Sequence, residues 1–308
     1  MFMPELLEPI HEFSRQTIDF SRKIAIMAVI NRTPDSFYDA GSTFGLDEAV
    51  NAALQAIEDG ADWVDIGGVP FSPGPELAWQ DEAERIVPVI KAVRERSNAI
   101  ISADTFQPQV AQAAIEAGAD VINDTTGLAY PELAAVVAKN NVHLVITHSL
   151  AKPRTIYPRP HYEDVVAEIR QYLQDKVQVA INAGISPSKI IVDPGHDLNK
   201  NTRHTLEITK SFQAFADLGF PALAAVSNKD FIGETLNLPK AERTLGSMVA
   251  ATICAMNGAR ILRMHNIPES LQTVKFFEAT LGWREPAYQI HNMGDVNPPA
   301  HPEREPIK

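Results

Sequence analysis

At 308 residues and 45% hydrophobic content, the chain can fold as one large α/β domain or two ordinary ones. Its 27 basic and 39 acidic residues give a formal charge of -12 with no basic cluster, which argues against general affinity for nucleic acid but not against a local cationic pocket. The single cysteine, Cys254, excludes an internal disulfide and fits a reducing cytoplasm; no apolar run reaches membrane-spanning length, and the N-terminal segment lacks the form of a signal peptide.

Residues 1–23 read as a leader, expected at most as a short helix over the bottom of the domain that follows. Ile24 to Ile30 carries no charge and reads as a strand buried on both faces. It ends abruptly in Asn31, Arg32, Thr33, Pro34, Asp35, Ser36 and Phe37, a change from apolar to turn chemistry that places a polar side chain at a strand end. Further apolar runs begin at Trp63, Ala99, Val121, Val142, Ile190, Pro221 and Ile261. Each is followed by helical periodicity, and the predicted helices lie near 47–59, 75–95, 108–117, 131–140, 162–183, 202–217, 240–257 and 266–280. A repeated grammar joins helix to strand: Gly60, Gly118 and Gly258, with Gly184 and Gly219 as weaker versions, stop a helix in the left-handed C′ position before the next apolar run. Eight such units over residues 24–283 match a single closed (β/α)8 TIM barrel, an α/β fold, with a doubly wound open sheet as the alternative. Residues 284–308, rich in Pro, Asn and Glu, are expected to be a loosely attached tail.

In a barrel the C-terminal strand ends share one mouth, so their residues can be read as a site. They are Asn31, Asp65, Asp104, Asn123, His148, Asp193, Ser227 to Lys229, Arg263 and His265. Amides and carboxylates suit the donor-rich edge of a flat nitrogen heterocycle, while Lys229, Arg263 and His265 suit an anion such as phosphate. Structural readings stand beside these. Asp65 could satisfy loop amides, Asp104 could cap a helix opening at Thr105 to Pro108, and His148 could be a packed histidine. Asp193 ends the run IIVDPG and Arg263 lies inside an apolar strand, and burying either charge without a partner would be costly, which favours function.

The runs IMAVINRTPDSF, WVDIGG, SADTF, GADVINDTTGL, IIVDPG, AVSNKDFIGETL and GARILRMH resemble, in order and spacing, those of the dihydropteroate synthase family over about residues 24–281. The resemblance implies a (β/α)8 barrel whose mouth holds a pterin. Asp193 would pair with its aminopyrimidine edge, aided by Asn123, Asp104 and Lys229, with Arg263 also in contact. Asn31, Arg263 and His265 would face a diphosphate, with Asn31 near a Mg2+ ion, and Asp104, Lys229, Arg263 and His265 would carry catalysis. The implied reaction joins 6-hydroxymethyl-7,8-dihydropterin diphosphate to 4-aminobenzoate with release of diphosphate. A homodimer through outer helices is also implied.

The departures from the family pattern cluster on one side. Phe71 and Ser72 stand where a hydroxyl and a guanidinium are expected, Leu198 replaces an aromatic residue, and Asn228 and Asp230 replace an arginine and a serine around Lys229. Arg32 in NRTPDSF and the SNKD run resemble a divergent second-type paralogue. Three readings stay open: a homologue with a pterin-type pocket and weak or lost synthase activity, a working synthase with compensating loops, and another enzyme of the pterin-binding barrel. New phosphate ligands among His148, Arg154, Arg159 and Lys200 would favour altered chemistry, as would a network joining Asn228 and Asp230 to His196, Asp197 or Lys200. Lys152 to His161 reads either as a lid or basic rim or as a solvated loop.

Overall fold

The computed structural model describes residues 1–32, 44–70, 73–157, 159–289 and 291. The leader contributes an antiparallel hairpin, β1 (Ile10–Glu12) with β2 (Thr17–Asp19), in place of the expected helix. The physical reason is alternation: His11 and Phe13 turn inward while Ile10 and Glu12 face out, and Ile18 and Phe20 add a second buried row. Arg260 fastens the hairpin by donating from Nε to the Phe20 carbonyl at 2.8 Å.

All eight predicted strands form. They are β3 (Ala25–Asn31), β4 (Trp63–Gly67), β5 (Ile100–Asp104), β6 (Val121–Asp124), β7 (His143–Thr147), β8 (Ile190–Asp193), β9 (Ala222–Ala224) and β10 (Ala259–Met264). Each pairs in parallel with its neighbour, and β10 closes on β3, so the sheet is a barrel rather than open and doubly wound. The outer layer consists of α1 (Phe44–Glu58), α2 (Trp79–Arg96), α3 (Pro108–Glu116), α4 (Pro131–Asn140), α5 (Val165–Asn182), α6 (Thr202–Lys210), α7 (Gln213–Ala216), α8 (Asp230–Leu236), α9 (Thr244–Met256) and α10 (Ile267–Thr280). Gly60, Gly118, Gly184, Gly219 and Gly258 all take positive φ, as the helix-to-strand grammar requires. The single helix expected over 202–217 is split at Ser211 and Phe212, with the Phe212 ring fully buried. The short α8 was not anticipated.

Strand alternation divides the core. One set of side chains, including Ile66, Ile101, Ile122, Leu144 and Ile190, packs under the helices. The other fills the barrel: Met27, Trp63, Ile100, Val121, Val145, Ile191, Leu223 and Ile261, sealed below by Phe13, Ile18 and Phe20 of the hairpin. Two residues further along several of the same strands, the inward positions become Asp65, Ser102, Asn123, Asp193 and Arg263. No described helix is long and apolar enough to cross a membrane.

Candidate active site

Strand pleating delivers the polar layer to the mouth in register. Asp65 lies beside Ser102 across β4 and β5, and Asp104 beside Asn123 across β5 and β6. Asp65 is fully buried and accepts from three side chains: Ser102 Oγ, Asn123 Nδ2 at 3.0 Å and Arg263 Nε at 2.7 Å. Trp63 Nε1 donates to Ser102 Oγ at 2.8 Å, which steers the serine hydroxyl toward Asp65. Arg263 also donates from Nη2 to Asp104 Oδ2 at 3.1 Å, so one guanidinium joins two carboxylates. Asp65 therefore bonds to side chains of the mouth and not to loop amides, and Asp104 pairs with Arg263, while Gln107 holds the N-cap position of α3 without a side-chain cap bond.

Burial, followed by the neighbouring Asp65 charge, pushes the Asp104 carboxyl up to about 8, with Arg263 opposing. Burial works against the Arg263 cation, but Asp65 and Asp104 more than offset it and hold the guanidinium above its usual range. Burial raises the Asp193 carboxyl, opposed by the Gly195 N–H, which donates at 2.7 Å, and by Lys229. Burial lowers the Lys229 ammonium, which donates to the His196 carbonyl. His265 presents an edge to the mouth and is held by Ser227, whose Oγ accepts from the His265 backbone N–H at 3.1 Å. Crowding by the strand ends and the cation Arg263 lower its imidazole to about 4.

A cavity of about 480 Å³ at the mouth is lined by Asn31, Asn123, Asp193, Lys229, Arg263 and His265, with Asp104 bound to the arginine beside them. All seven sequence-predicted site residues thus converge. Ser227, among the strand-end residues expected at the mouth, lines the cavity too, as do Thr125 and Asp197, which no local pattern marks for it. Among the described residues, the buried Asn123 Oδ1 and Thr125 Oγ1 have no hydrogen-bond partner.

Other expected ligands go elsewhere. His148 packs edge-on against Tyr172, and its Nδ1 lies 2.9 Å from Lys200 Nζ, which also donates to the Leu198 carbonyl at 2.8 Å. Neither lines the cavity, nor does Arg159; of the four cations considered, Arg154 does. The network expected between Asn228 or Asp230 and His196, Asp197 or Lys200 is replaced by local pairing: Asn228 bonds to Ser247 and Asn266, and Asp230 pairs with Arg243 at 2.9 Å. The reason is the left-handed Asn228 backbone, which turns the run toward α9. Thr33 to Phe37, Phe71 and Ser72 lie outside the described residues.

The family model described as pterin binding enzyme matches residues 27–265. The chain belongs to the pterin-binding enzyme family. Within it, the chain is 34% identical over 261 residues to the Escherichia coli protein named dihydropteroate synthase, covering 84% of this chain and 93% of that one. It is 38% identical over 274 residues to the Mycobacterium tuberculosis protein named inactive dihydropteroate synthase 2, covering 87% and 86%. The structure of Xanthomonas albilineans dihydropteroate synthase with 4-aminobenzoic acid superposes with a TM-score of 0.83 at 32% identity, covering 89% of this chain and 98% of that one. The chain thus has relatives named dihydropteroate synthase and inactive dihydropteroate synthase 2 at comparable identity.

Proposed function

We propose that the deep cavity binds a pterin-type heterocycle and that dihydropteroate synthase activity is weak or lost. The observation that carries the binding half is the pair of open acceptors, Asn123 Oδ1 and Thr125 Oγ1, in a cavity shared with Asp193, Lys229 and Arg263. A buried polar atom left unpaired costs about 1–3 kcal/mol, which the N–H groups of a flat nitrogen heterocycle would recover. In this reading Asp193 and Asn123 take the aminopyrimidine edge beside Asp104 and Lys229, while Asn31, Arg263 and His265 face a diphosphate.

The same cavity fits a magnesium ion only with help from the ligand. Asn31 Oδ1 and Asp104 Oδ2 lie 3.5 and 3.6 Å from where a Cβ on Gly67 would sit, so the two oxygens flank the same small space. Magnesium takes few protein oxygens and completes its shell with phosphate and water, so Asn31 would supply the protein oxygen that positions it, Asp104 being engaged by Arg263. When bound, the ion would neutralise charge on a departing diphosphate.

Support for the weak-activity half comes from the opposite wall. Asp197 Oδ2 already accepts the Phe231 N–H at the start of α8, and the exposed Asp230 carboxylate, paired with Arg243, lines the same cavity. A 4-aminobenzoate carboxylate approaching this wall meets Asp197 as a like charge, and in a reaction governed by positioning and electrostatics that opposes a productive pose. A working synthase is the second reading, favoured by the convergence of Asn31, Lys229, Arg263 and His265. The deciding assay is diphosphate release with magnesium, the dihydropterin diphosphate and 4-aminobenzoate, run beside a Phe71→Thr, Ser72→Arg double variant. Little release by the wild type with recovery in the variant supports the proposal; robust wild-type turnover sinks it.

A homodimer fits the outer surface. Helix α9 carries no charged residue, and its Leu245, Val249 and Ile253 stay exposed at helical spacing. Met256 continues the stripe into a groove shared with the exposed Phe276 of α10. A second copy covering this face would remove it from water. Leu245→Glu with Val249→Glu should halve the mass seen by sedimentation; an unchanged mass would place any interface elsewhere.

A further inference from the structure

The segment Ser149–Tyr157 crosses the mouth as a strap tied at several points. At its base, Asn199 Oδ1 accepts from the backbone N–H groups of Leu150 and Ala151 at 2.9 and 3.0 Å. Midway, Lys152 Nζ donates to the Tyr130 hydroxyl, and the Tyr130 ring stacks on Phe106 at 5.6 Å. At its far end the Gly74 N–H donates to the Arg154 carbonyl at 3.1 Å, and Arg154 Nε donates to the Pro75 carbonyl at 2.5 Å. The guanidinium lies flat on Gly74, where an added Cβ would come within 1.9 Å of Nη2, so glycine is what admits it. The strap forms a shared wall between the large cavity and a smaller one of about 80 Å³, lined by Val69, Leu77 and Phe106.

Two features go beyond what a structural clasp needs. Arg154 holds φ of 67°, a left-handed conformation that costs a non-glycine residue energy and persists only where its surroundings enforce it. Its Nε alone completes the clasp, while the Nη groups, which have no hydrogen-bond partner among the described residues, belong to a residue lining both cavities. The β4 loop it docks on, Gly67 to Gly74, has no charged residue of its own. Lys152 adds a second cation to the same wall; Glu76 lines the smaller cavity beside them, and the acidic Asp197 and Asp230 line the large cavity elsewhere.

We infer that Arg154 is an anion-binding residue of this cavity, receiving a carboxylate or phosphoryl oxygen of the ligand on the strap side, away from Asp197 and Asp230. A guanidinium fork matches either group in two parallel hydrogen bonds. The inference rests on the pterin-cavity reading for the rest of the ligand but not for the anion itself.

The test compares the wild type with Arg154→Ala and Arg154→Lys by titration calorimetry. The probes are inorganic diphosphate, 4-aminobenzoate and the uncharged 6-hydroxymethyl-7,8-dihydropterin, with a thermal melt of each protein to establish folding. Losing a charge-assisted bond should weaken the anion that Arg154 holds by about 10- to 100-fold, with the lysine variant intermediate. A loss confined to diphosphate identifies a phosphoryl group, and a loss confined to 4-aminobenzoate identifies a carboxylate. Unchanged affinity for both anions, or binding of neither by the wild type, overturns the inference, as does an equal loss for the uncharged pterin. Failure of the uncharged pterin to bind the wild type would sink the pterin reading while leaving the two anion titrations to decide Arg154.

Discussion

Both ends of this barrel bury polar side chains, and both leave some of them without partners, but the surroundings differ. At the mouth the charges are tied together through Arg263, Asp65 and Asp104, and the acceptors without partners among the described residues, Asn123 Oδ1 and Thr125 Oγ1, belong to residues that line a cavity. At the bottom, both ring nitrogens of His11 and Nε2 of His143 are buried and, among the described residues, unpartnered, and they face packed rings: Phe13 stacks on His143 at 4.0 Å and Phe20 meets His11 edge-on at 5.1 Å. An open acceptor beside free volume can be satisfied by a ligand. An open imidazole nitrogen against a phenyl ring can be tolerated only while the ring is neutral.

The largest effect expected from this contrast is at the mouth. Arg263→Ala leaves Asp65 and Asp104 close together and without their cation, and removing one partner of a buried ion pair costs about 3–5 kcal/mol. Urea denaturation should show that loss, and pterin binding should disappear in titrations run well below the unfolding midpoint. If stability falls by less than about 1 kcal/mol, the three groups do not act as the compensated unit described here.

A smaller, pH-dependent effect belongs to the bottom. Burial lowers His11 to about 4 and His143 to about 2, against an ordinary value of 6.5. Above that value both rings are neutral whether the chain is folded or not, so neither contributes a pH dependence. Below it the unfolded chain takes up protons first, and stability falls as pH drops toward the folded values. Each histidine should therefore cost roughly 2 kcal/mol by about pH 5. His143→Leu removes one site while keeping the packing apolar. The stability difference between variant and wild type should grow by about 1.4 kcal/mol per pH unit as pH is lowered from about 6.5. A constant difference across that range would mean that the imidazole finds a proton acceptor when charged.

The same contrast explains what the sequence disclosed. The strands were legible because each is a short apolar run launched by a helix-stopping glycine, and the mouth residues were legible because polar side chains at the ends of such runs are costly unless used. For Asp65 the choice between mouth and loop amides is not local, because its partners Ser102, Asn123 and Arg263 are 37, 58 and 198 residues away and only barrel closure brings them together. The hairpin escaped notice because three-residue strands carry too little periodicity to separate from a frayed helix. Arg154 was one of four plausible cations, and nothing local distinguishes it; its selection depends on a strap crossing from β7 to the β4 loop.

The subtlest prediction returns to the mouth and asks whether compensation there serves stability or binding. Asp104 carries its proton up to about 8 in the free protein, against 3.8 ordinarily, so the folded chain holds a proton that the unfolded chain has released. That contribution to stability is present at low pH and is lost as pH rises from 3.8 toward 8. Asp104→Asn keeps a neutral hydrogen-bonding group beside Arg263, which retains Asp65 as its partner, and it does not titrate, so its stability should gain on the wild type by up to about 1.4 kcal/mol per pH unit as pH rises from 3.8 toward 8. Binding should change in a different way. A heterocycle that donates an N–H to Asp104 needs the ionised carboxylate, so wild-type affinity should rise by up to about tenfold per pH unit below about 8 and level off above it. The asparagine variant should bind the uncharged pterin with a flat profile across the same range. A wild-type profile that is already flat would mean that the ligand accepts the proton of Asp104 instead, assigning that residue to a different edge of the heterocycle from Asp193.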